Sequence, residues 1–140
     1  MMSGIRAADT KPEILLRRAL HGAGFRFRLH VRDLPGRPDI VLPRHHVAIL
    51  AHGCFWHRHE TCHWCSTPGS NRSFWMEKFA RNVERDTGAR SRLADAGWRV
   101  AVVWECALRP PHADATVASL VDWIGGTGQS FETPVIRTRA

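Results

Sequence analysis

Two short apolar runs separated by a long helical pattern constrain this fold more than any other feature of the chain. "VAILA" (Val47–Ala51) and "WRVAVVW" (Trp98–Trp104) have the length and apolar character of buried strands. Both are far too short to span a bilayer. Between them, Ser73 to about Ala96 reads as mostly helical through "FWMEKFARNVERD", with a weak point at Thr87–Gly88 and a stop at Gly97. A strand that leads through a long helix to another strand is how a chain crosses over to a parallel position.

The N-terminal part supplies the neighbours. "TKPE" places Thr10 at an N-cap, a proline just inside and Glu13 at the third position of a capping box. Ile14, Leu15, Ala19, Leu20 and Ala23 then recur at helical spacing, and Gly22 and Gly24 provide a stop. "FRFRLHV" (Phe25–Val31) alternates apolar and polar, which predicts a strand with one wet, basic face. "DLPGRPD" (Asp33–Asp39) is turn chemistry, "IVL" (Ile40–Leu42) a short strand and "PRHH" another turn. Ala113 to Ile124 reads as a last amphipathic helix with Val117, Leu120, Val121 and Ile124 inward. The expected fold class is α/β: a mixed central sheet flanked by helices, its first strands antiparallel.

A length of 140 residues, 44% of them hydrophobic, suits a single domain spanning residues 1–140 with one core. Residues 1–8 read as a flexible N-terminal arm and 126–140 as a loose C-terminal tail. The N-terminus carries charges early and has no apolar signal region, so a soluble intracellular protein without a membrane partner is expected. Twenty basic against thirteen acidic residues give a net charge of +7, and the pI is near 10.5. That surplus favours polyanions, nucleic acid being the commonest, over a basic surface with no dedicated partner.

The segment Ala51–Cys65, "AHGCFWHRHETCHWC", holds four histidines, three cysteines and two tryptophans. In a reducing compartment this mixture points to metal and not to a disulfide framework. Cys54, His59 and Cys62 form a compact Cys-x4-His-x2-Cys trio, and Cys106 in "WECAL" can be the fourth ligand of a tetrahedral zinc site. If the strands ending at Ala51 and Trp104 lie side by side and parallel, Cys54 and Cys106 leave the same sheet edge. Four protein ligands leave no open position, so the zinc would be structural. Cys65 or His63 can replace Cys62, His57 can compete with His59, and a scatter of thiols and surface histidines is the plain alternative. Cys62 and Cys65 have redox-like C-x-x-C spacing, but they sit in the metal loop.

Asp39 follows a proline turn where a strand begins, a place where nucleases put a carboxylate for Mg²⁺. As an ordinary turn residue it would be unremarked. His52 and His57 bracket Cys54, and an imidazole there can take a proton from water attacking a phosphodiester. The usual acid and lysine of the second strand are missing from "ILAHG", so a backbone oxygen would complete the metal site. Glu13 can cap its helix, can orient a water or a histidine, or can do both. Asp86 in "NVERD" is either a solvated helix residue or part of the site. Phe55 and Trp56 lie between metal ligands, as a lid over zinc or as a wedge for a base stack, with Trp75 beside them. Arg58, Arg72, Lys78 and Arg81 are near enough in sequence to hold phosphates.

"LPGRPDIV", "HGCFWH", "FWMEKFARNVERD" and "GWRVAVVWECAL", in this order and spacing, resemble the very-short-patch-repair DNA mismatch endonucleases over about Ile5–Arg109. The resemblance implies a restriction-endonuclease-like core with a structural zinc. It implies Mg²⁺-dependent nicking of duplex DNA 5′ to the thymine of a T·G mismatch left by 5-methylcytosine deamination. It implies a functional link to a DNA cytosine-5 methyltransferase, a MutL-type mismatch-repair partner, and a cytoplasmic protein associated with the nucleoid through DNA. By position, Asp39 matches the Mg²⁺-binding aspartate, His57 the general base, and Glu13, His52 and Asp86 the supporting polar residues. Phe55, Trp56 and Trp75 match aromatics that enter the duplex, and Met2 and Ile5 fall in the arm that touches the minor groove. Cys54, His59, Cys62 and Cys106 match the zinc ligands. Ala51 stands where relatives often carry Thr or Asp, which leaves its main-chain carbonyl as a Mg²⁺ ligand. That alanine is also the feature favouring a rival reading, a zinc-stabilised DNA-binding module without catalysis. A third reading is a phosphodiesterase of the same fold that cuts matched duplex.

Overall fold

The computed structural model describes residues 11–54 and 69–133. Helix α1 (Lys11–Gly22) leads into β1 (Arg28–Leu29). The proline turn then delivers β2 (Ile40–Leu42). A 3-10 turn at Pro43–His45 reverses the chain into β3 (Val47–His52). Helix α2 (Arg72–Asp95) crosses over to β4 (Arg99–Trp104). A second 3-10 turn at Glu105–Leu108 precedes α3 (Ala113–Gly125) and β5 (Ser130–Glu132).

The sheet runs β1-β2-β3-β4-β5 in spatial order. β1, β2 and β3 are successively antiparallel, while β3, β4 and β5 are parallel. This is the mixed sheet expected from the order of elements.

Alternation along the two central strands divides the interior. Val47, Ile49, Ala101 and Val103 turn to one face, where they pack with Leu16 and Leu20 of α1 and Leu120 and Ile124 of α3. Ala48, Leu50, Val100, Val102 and Trp104 turn to the other, against Leu93 of α2. Both faces are covered, which is why these two strands read as unbroken apolar runs. Each fully buried Leu, Ile or Val in these layers contributes about 1.5–3 kcal/mol.

The structure departs from the sequence reading in three places. The strand expected over Phe25–Val31 pairs only at Arg28–Leu29. Phe25 and Phe27 pack against the first core layer, and His30 leaves the strand in a left-handed conformation with φ 51. Helix α2 passes through Thr87–Gly88 without a break. Burial of Phe79, Ala89 and Leu93 along one face outweighs the low propensity of that pair, and the Thr87 hydroxyl donates back to Val83 O at 3.0 Å. Part of the segment expected to be loose after Gly125 forms β5. Its neighbour Arg99 ties β4 to this end by donating to Gly128 O at 2.7 Å, Ile124 O at 3.0 Å and Trp123 O at 2.6 Å. The same guanidinium lies 4.5 Å over the Trp123 ring. Among the described residues, no helix is long and apolar enough to cross a membrane.

Candidate active site

The site forms where β2 begins and β3 ends. The Asp39 N–H donates to Ile49 O at 3.1 Å, which fixes its backbone against β3. Its carboxylate Oδ2 accepts the Ala51 N–H at 2.8 Å. Carbonyls along a strand alternate sides, so the Ala51 carbonyl leaves β3 on the same side as that of Ile49, toward Asp39. The rim thus offers a fixed carboxylate beside main-chain polar groups.

Two further side chains converge on Asp39. Glu13 projects from the first turn of α1 and is buried. His30 follows β1, and its main-chain N–H donates to the Asp39 main-chain carbonyl at 3.1 Å. His30 Nε2 lies 2.9 Å from Glu13 Oε2, and Arg17 Nη1 approaches the same oxygen at 3.7 Å. One ligand atom from each of Glu13, His30 and Asp39 lies within 4.8 Å of the others. Two carboxylates and an imidazole at that separation fit a divalent cation, by donor chemistry and by size. Glu13 therefore does meet a histidine, and that histidine is His30. Its expected capping partner, Thr10, lies outside the described residues.

His30 is the site residue that sequence reasoning missed. It looked like one more polar residue on the wet face of "FRFRLHV". The pairing of Leu29 with Ile40 places the next residue on one strand opposite the preceding one on the other, His30 against Asp39. That register depends on the path of the proline turn, which the alternation does not define.

The other expected residues that the structure describes lie outside this three-residue cluster. His52 is buried on the opposite side of β3, edge-on to Trp104 with ring centroids 5.0 Å apart. Asp86 is half-buried on α2 and is outside the three-residue cluster. Trp75 is half-buried on α2 and stacks on Phe79 at 5.8 Å, while Arg72 is exposed and Lys78 half-buried. Met2, Ile5, Phe55, Trp56, His57, Arg58, His59 and Cys62 lie outside the described residues, as do Cys65 and His63.

The two described cysteines come together. β3 and β4 run in register to their ends, Ala51 beside Val103 and His52 beside Trp104. Cys54 and Cys106 each follow two residues later, and the Cys106 N–H points at Cys54 Sγ at 3.4 Å. Both are buried and neither is in a disulfide. A pair of buried sulfurs with an N–H aimed at one of them suits half of a tetrahedral thiolate site.

The comparisons agree with one another. Residues 1–63 match the family described as DNA mismatch endonuclease Vsr. The chain is 44% identical over 134 residues to the DNA mismatch endonuclease Vsr of Escherichia coli strain K12, covering 94% of this chain and 85% of that protein. It is 46% identical over 123 residues to the Type II nicking enzyme V.XorIIP of Xanthomonas oryzae pv. oryzae, covering 87% and 90% respectively. Over 109 residues it is 42% identical to the Type II nicking enzyme V.NmeAIP of Neisseria meningitidis serogroup A, covering 78% and 77%.

Proposed function

Because the chain belongs to the Vsr family of DNA mismatch endonucleases, we propose that it nicks one strand of duplex DNA on the 5′ side of the thymine in a T·G mismatch. The observation that carries this reading is the gathering of Glu13, His30 and Asp39 within 4.8 Å. The net charge of +7 suits a phosphate backbone as partner.

Asp39, its carboxylate held by the Ala51 N–H, would hold a divalent cation, with the Ala51 carbonyl as a further oxygen donor. Mg²⁺ is the cation the family resemblance implies. A divalent cation bound here supplies stabilisation of the charge that develops on the scissile phosphate. Glu13, its charge balanced by Arg17, stands beside the Asp39 carboxylate as a second acidic donor, and His30 completes the cluster. His57 takes the proton from the attacking water, and His52 and Asp86 support the site from further away. Phe55, Trp56 and Trp75 enter the stack, which costs least where pairing is already weakened. Arg58, Arg72 and Lys78 hold phosphates, and Met2 and Ile5 touch the minor groove. Cys54, His59, Cys62 and Cys106 would hold a structural zinc, which would join the chain after β3 to the end of β4.

The whole chain acts as one nuclease domain in the cytoplasm, on DNA modified by a cytosine-5 methyltransferase, with a MutL-type protein as a repair partner. The test is a denaturing gel of labelled T·G heteroduplex and matched duplex incubated with Mg²⁺. One nick in the heteroduplex, lost on chelation, is the expected result. Equal cutting of matched duplex supports the general phosphodiesterase, and binding without a nick supports the non-catalytic module that Ala51 favours.

A further inference from the structure

His30 differs in chemistry from the two carboxylates it joins. Its side chain is 33% exposed, so a hydrated ion can reach it, and its Nε2 lies 2.9 Å from Glu13 Oε2. Two neighbouring ligands of an octahedral ion at about 2.1 Å are about 3.0 Å apart. The 2.9 Å His30–Glu13 contact is an ion pair at hydrogen-bond distance, and a cation ligated by both groups would take the place of the proton between them. The left-handed backbone at His30 (φ 51) and its N–H bond to Asp39 O at 3.1 Å hold the residue at the mouth of the cluster. Three separate parts of the chain, α1, the end of β1 and the start of β2, each contribute one donor.

We propose that His30 is a third protein ligand of the divalent-cation site, and that its imidazole makes the site bind Mn²⁺ more tightly than Mg²⁺. The proposal rests on the reading that Asp39 holds the catalytic cation. Mg²⁺ is a hard ion that prefers oxygen donors and keeps its waters. First-row divalent ions accept imidazole nitrogen, with affinities rising along the series from Mn²⁺. Mn²⁺ is the member of that series best suited to a set with two carboxylates, and it competes poorly for the thiolates of Cys54 and Cys106. Arg17 is the charged group facing the cluster from α1, 3.7 Å from Glu13 Oε2 and 23% exposed.

The test is Mn²⁺ binding to the full chain, read from the electron paramagnetic resonance signal of free Mn²⁺, with Mg²⁺ as competitor. Wild-type protein is expected to bind Mn²⁺ about tenfold or more tightly than Mg²⁺. His30→Asn tolerates the left-handed backbone and is expected to lose about tenfold or more in Mn²⁺ affinity while Mg²⁺ affinity changes far less. His30→Gln carries the same expectation should the first variant melt early. An unchanged Mn²⁺-to-Mg²⁺ ratio in these variants overturns the proposal. Asp39→Asn separates the two levels of inference. If it abolishes binding of both ions while the His30 variants bind as wild type, only the role of His30 falls. If Asp39→Asn binds Mn²⁺ like wild type, the cation reading itself falls, and the proposal with it.

Discussion

Gly36 sits in the turn that carries Asp39, and replacing it with alanine should damage fold and site together. Its φ is +74, and a Cβ built there would stand 2.4 Å from Ala89 Cβ on α2. Carbon atoms rest at about 3.5–4.0 Å, so the turn and the helix would have to separate by more than about 1 Å. Overpacking of this kind costs about 1–3 kcal/mol, and the left-handed backbone adds about 1–2 kcal/mol for a residue with a Cβ. The sum, about 2–5 kcal/mol, is a large part of the roughly 5–15 kcal/mol that holds a domain of this kind together. It corresponds to a fall in melting temperature of roughly 8–20 °C. Asp39 lies three residues on, and a displacement of about 1 Å at a reacting centre can cost about a hundredfold in rate. The nicking rate at a temperature where the variant is folded should therefore fall by about that factor. The decisive assay is a double-mutant cycle by urea denaturation, with Gly36→Ala, Ala89→Gly and both together. Ala89→Gly alone loses about 1 kcal/mol of helix propensity, but it removes the atom that collides. The double variant should recover about 1–3 kcal/mol relative to the sum of the singles. A coupling below about 0.5 kcal/mol would refute the steric argument and leave only the backbone term.

Asp39→Asn keeps an oxygen acceptor for the Ala51 N–H but loses the charge. Its stability in urea should change by less than about 1.5 kcal/mol, while T·G nicking on the gel assay should vanish. Cys106→Ser should release stoichiometric zinc, measured by metal analysis of the purified protein; full retention of zinc would remove Cys106 from the ligand set. Arg99→Met removes the three carbonyl contacts at and just beyond the end of α3, and a loss of about 2–3 kcal/mol in chemical denaturation is expected. Thr116→Val removes a buried hydroxyl that donates to Ala107 O at 2.7 Å. It should cost about 1–3 kcal/mol by the same measurement, because the carbonyl is left without that donor.

Much of the architecture was legible locally. Val47–Ala51 and Trp98–Trp104 are apolar on both sides because both sheet faces are covered, so their burial shows in composition. The long pattern between them needs a crossover, and a crossover needs a parallel neighbour. From that, the placement of Cys54 near Cys106 follows. Asp39 and Glu13 were also visible, each as a carboxylate at an element boundary.

What the sequence left open were quantities set by three-dimensional packing. The weak point expected at Thr87–Gly88 leaves the helix unbroken because side-chain burial outweighs a propensity difference of about 1 kcal/mol. The strand β5 has no strong pattern of its own; it exists because β4 offers an unpaired edge and Arg99 anchors the approach to it. His30 belongs to the cluster only through the register of β1 on β2, and one residue of slip would send it to the other face. By itself, the sequence determined the residue types able to hold a metal and the strands that must be central. Tertiary structure decided which of those residues meet, because the meeting depends on turn path and register, and neither is encoded in local hydrophobic period.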